Sequence, residues 1–248
     1  MGYTYAVEAQ AQARNYALTP EGINDLRAKA ATATFNPDGT GVRAHAISFS
    51  ATMWGSLIDT LPQHIAERQR ISRGDVFDIA AEVKTGSRPA KDVLAASYLW
   101  GTGTTGHGAA RYQKIVESAG PRLEPSLHAA LEAADGDPIA GYAQFYGCDR
   151  PPRGRAGEAP WSRLAGLGPA FFTKVLYFST PGALILDNVL ARAVHGLTGM
   201  PHLLNRTGGS REWTCYRYAV YVSWMGQTAA KVGIAPDTLE YTLFTQRD

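Results

Sequence analysis

Lys174 and Asp187 are the residues of this chain whose type and setting suit them for covalent chemistry. The stretch Ala170 to Phe178 places Phe171, Phe172, Val175, Leu176 and Phe178 on one apolar arc of a helix. At about 100° per residue, Lys174 lies about 40° outside Phe178, so its amine borders the buried face. An ammonium group deprived of water gives up its proton more readily, and the neutral amine is a nucleophile. Ala170, Lys174 and Phe178 share one stripe of that helix. After Ser179-Thr180-Pro181-Gly182, the apolar run Ala183-Leu184-Ile185-Leu186 delivers Asp187 to the entrance of another helix. A carboxylate there can cap the helix, and it can also stabilise positive charge developing on a nearby carbon.

The element ahead of Lys174 is Leu164-Ala165-Gly166-Leu167-Gly168-Pro169. Its glycines permit a turn too tight for side chains and expose backbone N–H groups, and such a turn opening a helix can hold a phosphate. Around it the chain reads as helix, with apolar residues at three- and four-residue spacing and little period-two alternation. The expected fold is all-α. Helices are predicted over 19–30 (Thr19 as N-cap, Pro20 at N1), 72–84, 89–100, 109–118, 125–134, 138–146, 169–178, 188–197, 211–232 and 236–244. Two breaks are expected, at 36–41 and in the Gly-, Pro- and Arg-rich stretch 147–160, which reads as an interlobe connection or a loop on a ligand.

The formal net charge of +2 conceals an uneven distribution. Arg150 to Arg217 holds nine basic residues against three acidic ones, a segment of +6, and the remainder is −4. A positive field confined to one third of the chain suits a surface that faces phosphates. No run of about 18 apolar residues offers a membrane span, and the N-terminus lacks a signal-peptide pattern. The chain is therefore read as soluble and intracellular. Cys148 and Cys215 lack Cys-x-x-Cys spacing and are read as plain thiols, with no metal site expected. Gly101-Thr102-Gly103-Thr104-Thr105-Gly106 matches the dinucleotide fingerprint, but the residues before it are helical in composition, so a turn between helices is expected. Arg73-Gly74-Asp75 and Asn205-Arg206-Thr207 are set aside, since both motifs presuppose an extracellular protein.

Hairpin, helix, short apolar run and then an aspartate leading a helix resembles the helix-hairpin-helix (HhH-GPD) DNA glycosylase superfamily. The likeness extends to its bacterial 8-oxoguanine glycosylase (OGG-fold) group through Trp100-Gly101-Thr102-Gly103, Gly106, Gly108, Arg111, Leu239-Glu240 and Leu243-Phe244. It covers roughly residues 90 to 248, leaving 1–90 as an N-terminal helical region of uncertain role and 91–248 as the glycosylase region. One departure stands out. Lyase-type members place the lysine two residues after the second hairpin glycine, which is Ala170 here, whereas Lys174 lies one turn further along the same stripe. An archaeal branch is similar in carrying its lysine within this helix.

The resemblance implies a two-lobed helical fold with a cleft and an enzyme that flips a modified base out of double-stranded DNA and cuts its glycosidic bond. It implies Asp187 and Lys174 as catalytic residues, and Gly166, Leu167, Gly168, Ala170, Arg163 and Arg192 as DNA contacts. Phe178 and Trp224 are expected at the base pocket, most of the other rings between Trp213 and Trp224 being core. The expected substrate is 8-oxoguanine or another oxidised purine, then a bulky phage base such as glucosylated hydroxymethylcytosine, with AP-lyase activity through Lys174. No cofactor is implied beyond a monovalent cation on the hairpin carbonyls, and the expected protein is a monomer on bacterial cytoplasmic DNA. The competing reading is a non-enzymatic module that uses the hairpin to grip DNA backbone.

Overall fold

A computed structural model of the chain describes residues 5–32, 41–147, 162–205, 207–209 and 211–245. The fold is all-α, apart from one small antiparallel pair, β1 (Ala46–Ser48) and β2 (Arg70–Ser72), with Ile47 opposite Ile71. Most of the 147–160 loop, with Arg150, Arg153 and Arg155, lies outside the described residues.

The helices begin where the sequence supplies donors' partners. In α2 (Pro20–Thr32) proline takes N1 and Thr19 Oγ1 accepts the Gly22 N–H at 3.2 Å. In α5 (Arg73–Lys84) Ser72 and Asp75 form a reciprocal capping box. Asp137 caps α9 (Pro138–Tyr146), and Gly147 ends it in the left-handed conformation. Asp187 caps α11 (Asn188–Thr198) in the same manner. Thr214 starts α12 (Cys215–Val232), so the helix expected from Arg211 begins at the residue after this cap. The remaining helices are α1 (Tyr5–Arg14), α3 (Ala51–Trp54), α4 (Gln63–Arg68), α6 (Ala90–Thr102), α7 (Gly108–Ala119), α8 (Leu123–Ala134), α10 (Pro169–Ser179) and α13 (Pro236–Thr245).

Buried apolar side chains form one continuous cluster from Ala9 to Leu243. Helix α10 lies at its centre, packed against α5, α6 and α9, with every residue from Phe172 to Phe178 buried. Lys174, expected at the border of the buried face, is itself buried among these neighbours. Helix α12 packs against α1, and Trp224 Nε1 donates to Tyr16 O at 2.9 Å. A correction concerns Cys215, which is disulfide-bonded rather than a plain thiol, and its partner lies outside the described residues. Among the described residues no helix is long and apolar enough to cross a membrane, and no cluster of His, Cys, Asp and Glu is placed to hold a metal ion.

Candidate active site

The run Ala183–Leu186 is buried, yet it belongs to no helix or sheet. Buried N–H and C=O groups need partners, and here side chains supply them. Tyr218 Oη accepts from Leu184 N at 3.2 Å and donates to Leu184 O at 2.9 Å. Tyr221 Oη donates to Ile185 O at 2.7 Å, Glu240 Oε2 accepts from Ile185 N at 2.8 Å, and Thr173 Oγ1 accepts from Leu186 N at 3.2 Å. Three helices thus hold the run that ends at Asp187.

Asp187 divides its carboxylate between two tasks. Oδ1 accepts from Val189 N at 3.0 Å and Leu190 N at 3.1 Å, which fixes the side chain at the mouth of α11. Oδ2 is left facing Lys174 Nζ at 3.4 Å. Lys174 Nζ also donates to Ala170 O at 2.7 Å, one turn back on α10, and lies 5.4 Å from the centre of the Phe171 ring. Burial lowers the lysine pKa, the charge of Arg73 adds to that, and Asp187 and Glu240 oppose it.

These groups lie on the wall of a cavity of about 290 Å³. Trp100, Gly101 and Thr102 of α6, His45 and Ile47 around β1, Arg73 of α5, and Glu240 and Phe244 of α13 complete its lining with Ile185, Val189 and Leu190. Gly101 has a steric reason to be glycine. A Cβ there would stand 2.9 Å from Lys174 Cδ and 3.0 Å from Cε, where the lysine stem now lies. Gly103, at φ +54°, closes α6 against β1, since a Cβ would fall 2.5 Å from Ile47 Cγ2. The turn 103–107 thus joins two helices.

Arg73 and Glu240 form an ion pair at 3.1 Å with exposures of 1% and 0%. Arg73 Nη1 donates to Tyr177 Oη at 2.9 Å, and its guanidinium lies over Trp100 at 4.9 Å. Burial raises the Glu240 carboxyl, while Arg73 and the Ile185 N–H act against it. Burial, reinforced by Arg73, lowers the His45 imidazole to about 4, so the ring is neutral at physiological pH. Its edge meets Trp100 at 5.5 Å between centroids.

Of the sites expected from sequence, Lys174, Asp187 and Ala170 come together here. Gly166 (φ +84°) is exposed in a turn closed by Leu167 N donating to Leu164 O at 3.2 Å, and Arg163 and Arg192 are exposed. Leu167 is buried and anchors the turn instead of presenting its side chain. Gly168 O accepts from Phe171 N and Phe172 N, which ties the end of the turn to the start of α10. Neither Phe178 nor Trp224 lies on the cavity wall. Phe178 stands behind Trp100, edge-on at 5.5 Å, and Trp224 is in the core beside Tyr16. His45, Arg73, Trp100, Phe244 and Glu240 had no assigned role in the sequence reading. Trp100-Gly101 and Glu240 with Phe244 belonged to its motifs, and Arg73 stood in a discarded tripeptide.

No curated protein and no solved structure matches the chain. A family model described as "Putative 8-oxoguanine DNA glycosylase OGG-like protein" matches residues 40–244. The match starts well before residue 90, and it takes in the whole cavity wall from His45 to Phe244. The chain belongs to this OGG-like family of DNA glycosylases.

Proposed function

We propose that the cavity receives a base extruded from duplex DNA and that Lys174 displaces it from the deoxyribose. The observation that carries this reading is a desolvated lysine amine 3.4 Å from a carboxylate that is fixed by two backbone N–H groups. A module that only grips DNA backbone has no use for such a lysine, because its burial costs stability and a chemical role is what would offset that cost in function.

The lysine must lose its proton before it can attack. Its lowered pKa makes the neutral amine accessible nearer to physiological pH than for a free lysine. The Nζ lone pair then forms a bond to C1′ while the C1′–N bond breaks, and the departing base carries off that electron pair and takes up a proton. Positive charge that grows on the sugar is met by Asp187 Oδ2, held without rotational freedom by its cap bonds. The secondary ammonium passes a proton to Asp187 or to water. The Nζ lone pair then expels the ring oxygen from C1′, which takes up a proton as a hydroxyl, and a protonated imine is left on the opened sugar; loss of a C2′ proton with departure of the 3′-phosphate from C3′ then cuts the strand, which is AP-lyase activity.

For the base, the wall offers the Trp100 and Phe244 rings and the neutral edge of His45. Ligand pockets commonly run from about 300 to 1,000 Å³, so a cavity of about 290 Å³ suits one base without an attached sugar. This favours 8-oxoguanine or another oxidised purine over glucosylated hydroxymethylcytosine. Exposed Gly166, Arg163 and Arg192 provide backbone amides and cations for phosphates on the outer surface. The test is base release from duplexes that carry either lesion. Release from the oxidised purine duplex alone is the expected result, and release from the glucosylated duplex alone would overturn the substrate choice.

A further inference from the structure

A carboxylate buried beside a nucleophilic lysine is a liability, because its charge stabilises the ammonium form. Glu240 is such a carboxylate: it shares the cavity wall with Lys174 and opposes the lowering of the lysine pKa. The run leading to Asp187 nevertheless depends on it, since Glu240 Oε2 holds the Ile185 N–H at 2.8 Å. Arg73 resolves the conflict. Its guanidinium takes the other oxygen of Glu240 at 3.1 Å and acts on Lys174 with the opposite sign.

We propose that Arg73 and Glu240 are a positioning pair for the reaction, in which Glu240 holds the backbone that leads to Asp187 and Arg73 balances the charge this carboxylate brings to the wall it shares with Lys174. This rests on Lys174 being the nucleophile. The charged and titratable groups around Lys174 are Asp187 at the start of α11, Arg73 on α5, Glu240 on α13 and His45 ahead of β1, with Tyr177 on its own helix bonded to Arg73. His45 is neutral over the working range. With Lys174 protonated, two cations face two carboxylates. Once the lysine is neutral, the site carries one net negative charge, which complements the positive sugar of the transition state.

The test follows borohydride trapping on an abasic-site duplex across pH, for the full chain, Glu240→Gln and the double variant Arg73→Met/Glu240→Gln. Glutamine keeps an oxygen for the Ile185 N–H but leaves Arg73 uncompensated. The acid limb of the trapping rate should then move to lower pH by about one unit. Removing both charges should return the limb to within a few tenths of a unit of the wild-type position, and it spares the double variant the unpaired buried cation that burdens the single one. Limbs that coincide in all three proteins, with rates lowered equally at every pH, would overturn the proposal and leave the pair a purely structural one. A wild-type protein that traps no abasic site refutes the lysine reading itself, and this inference with it.

Discussion

The two ion pairs on the cavity wall are built to different standards. Arg73–Glu240 is sealed, at 3.1 Å, with further bonds to Tyr177 and Ile185. Lys174–Asp187 is looser, at 3.4 Å, with side-chain exposures of 7% and 17% and an opening to the cavity. Breaking a buried pair by removing one partner strands a charge and costs several kcal/mol. The first pair is therefore tied to the stability of the fold. The second has slack, and slack is what a group needs if it is to leave its ground-state partner and meet a substrate.

The largest effect expected from this contrast is chemical. Lys174→Ala should abolish borohydride trapping, and Asp187→Asn should slow base release by about 100- to 1,000-fold, both measured in single-turnover assays with intact DNA binding. A Lys174→Ala protein that still forms the adduct breaks the assignment of the looser pair to chemistry. Next in size is a stability effect on the sealed pair. Glu240→Ala should lower the unfolding free energy by about 3–5 kcal/mol, read from denaturant midpoints; a loss below about 1 kcal/mol would show the two pairs to be alike.

The lysine supplies the complementary test. Because its folded pKa lies below its unfolded one, the unfolded chain binds more protons, so stability rises with pH between the two values. The penalty is fully present below the folded pKa and is gone above the ordinary lysine range. Lys174→Met should accordingly stabilise the protein at neutral pH by on the order of 1 kcal/mol, and the advantage should shrink as pH approaches about 10.5. Thermal melts across pH would show it. Asp187 is not stranded by this change, since its cap bonds remain. The smallest effect is expected at Gly101. Gly101→Ala pushes on the lysine stem, and trapping should slow by about tenfold for a misplacement of an ångström or less, with little change in the melting midpoint.

The contrast also explains what could be read in the sequence. Helices α2, α5, α9, α10, α11 and α13 fall close to their predicted spans because their ends are written locally, in Thr19-Pro20, Ser72 with Asp75, Asp137-Pro138, Pro169, Asp187 and Pro236. The proximity of Lys174 and Asp187 could be anticipated for the same reason, since one continuous stretch of turn, helix and apolar run carries both. Arg73–Glu240 was not, because its members lie 167 positions apart and neither has a periodic signature. Nothing local indicates that Tyr218 and Tyr221 spend their hydroxyls on the run before Asp187. The β1–β2 pair was missed for its brevity, and with it His45 at the cavity wall. Trp224 was a sound aromatic candidate by type, but it bonds to Tyr16, just after α1, instead of lining the cavity, a difference of helix face that composition alone does not fix.

The central claim is that Lys174 Nζ forms the bond to the sugar. Its most direct test is to reduce the complex with an 8-oxoguanine duplex by borohydride, digest the protein, and locate the sugar remnant by mass spectrometry. A remnant on Lys174, absent when Asp187 is changed to asparagine or greatly reduced there, is the predicted result. A remnant on another lysine, or base release with no remnant at all, would contradict it.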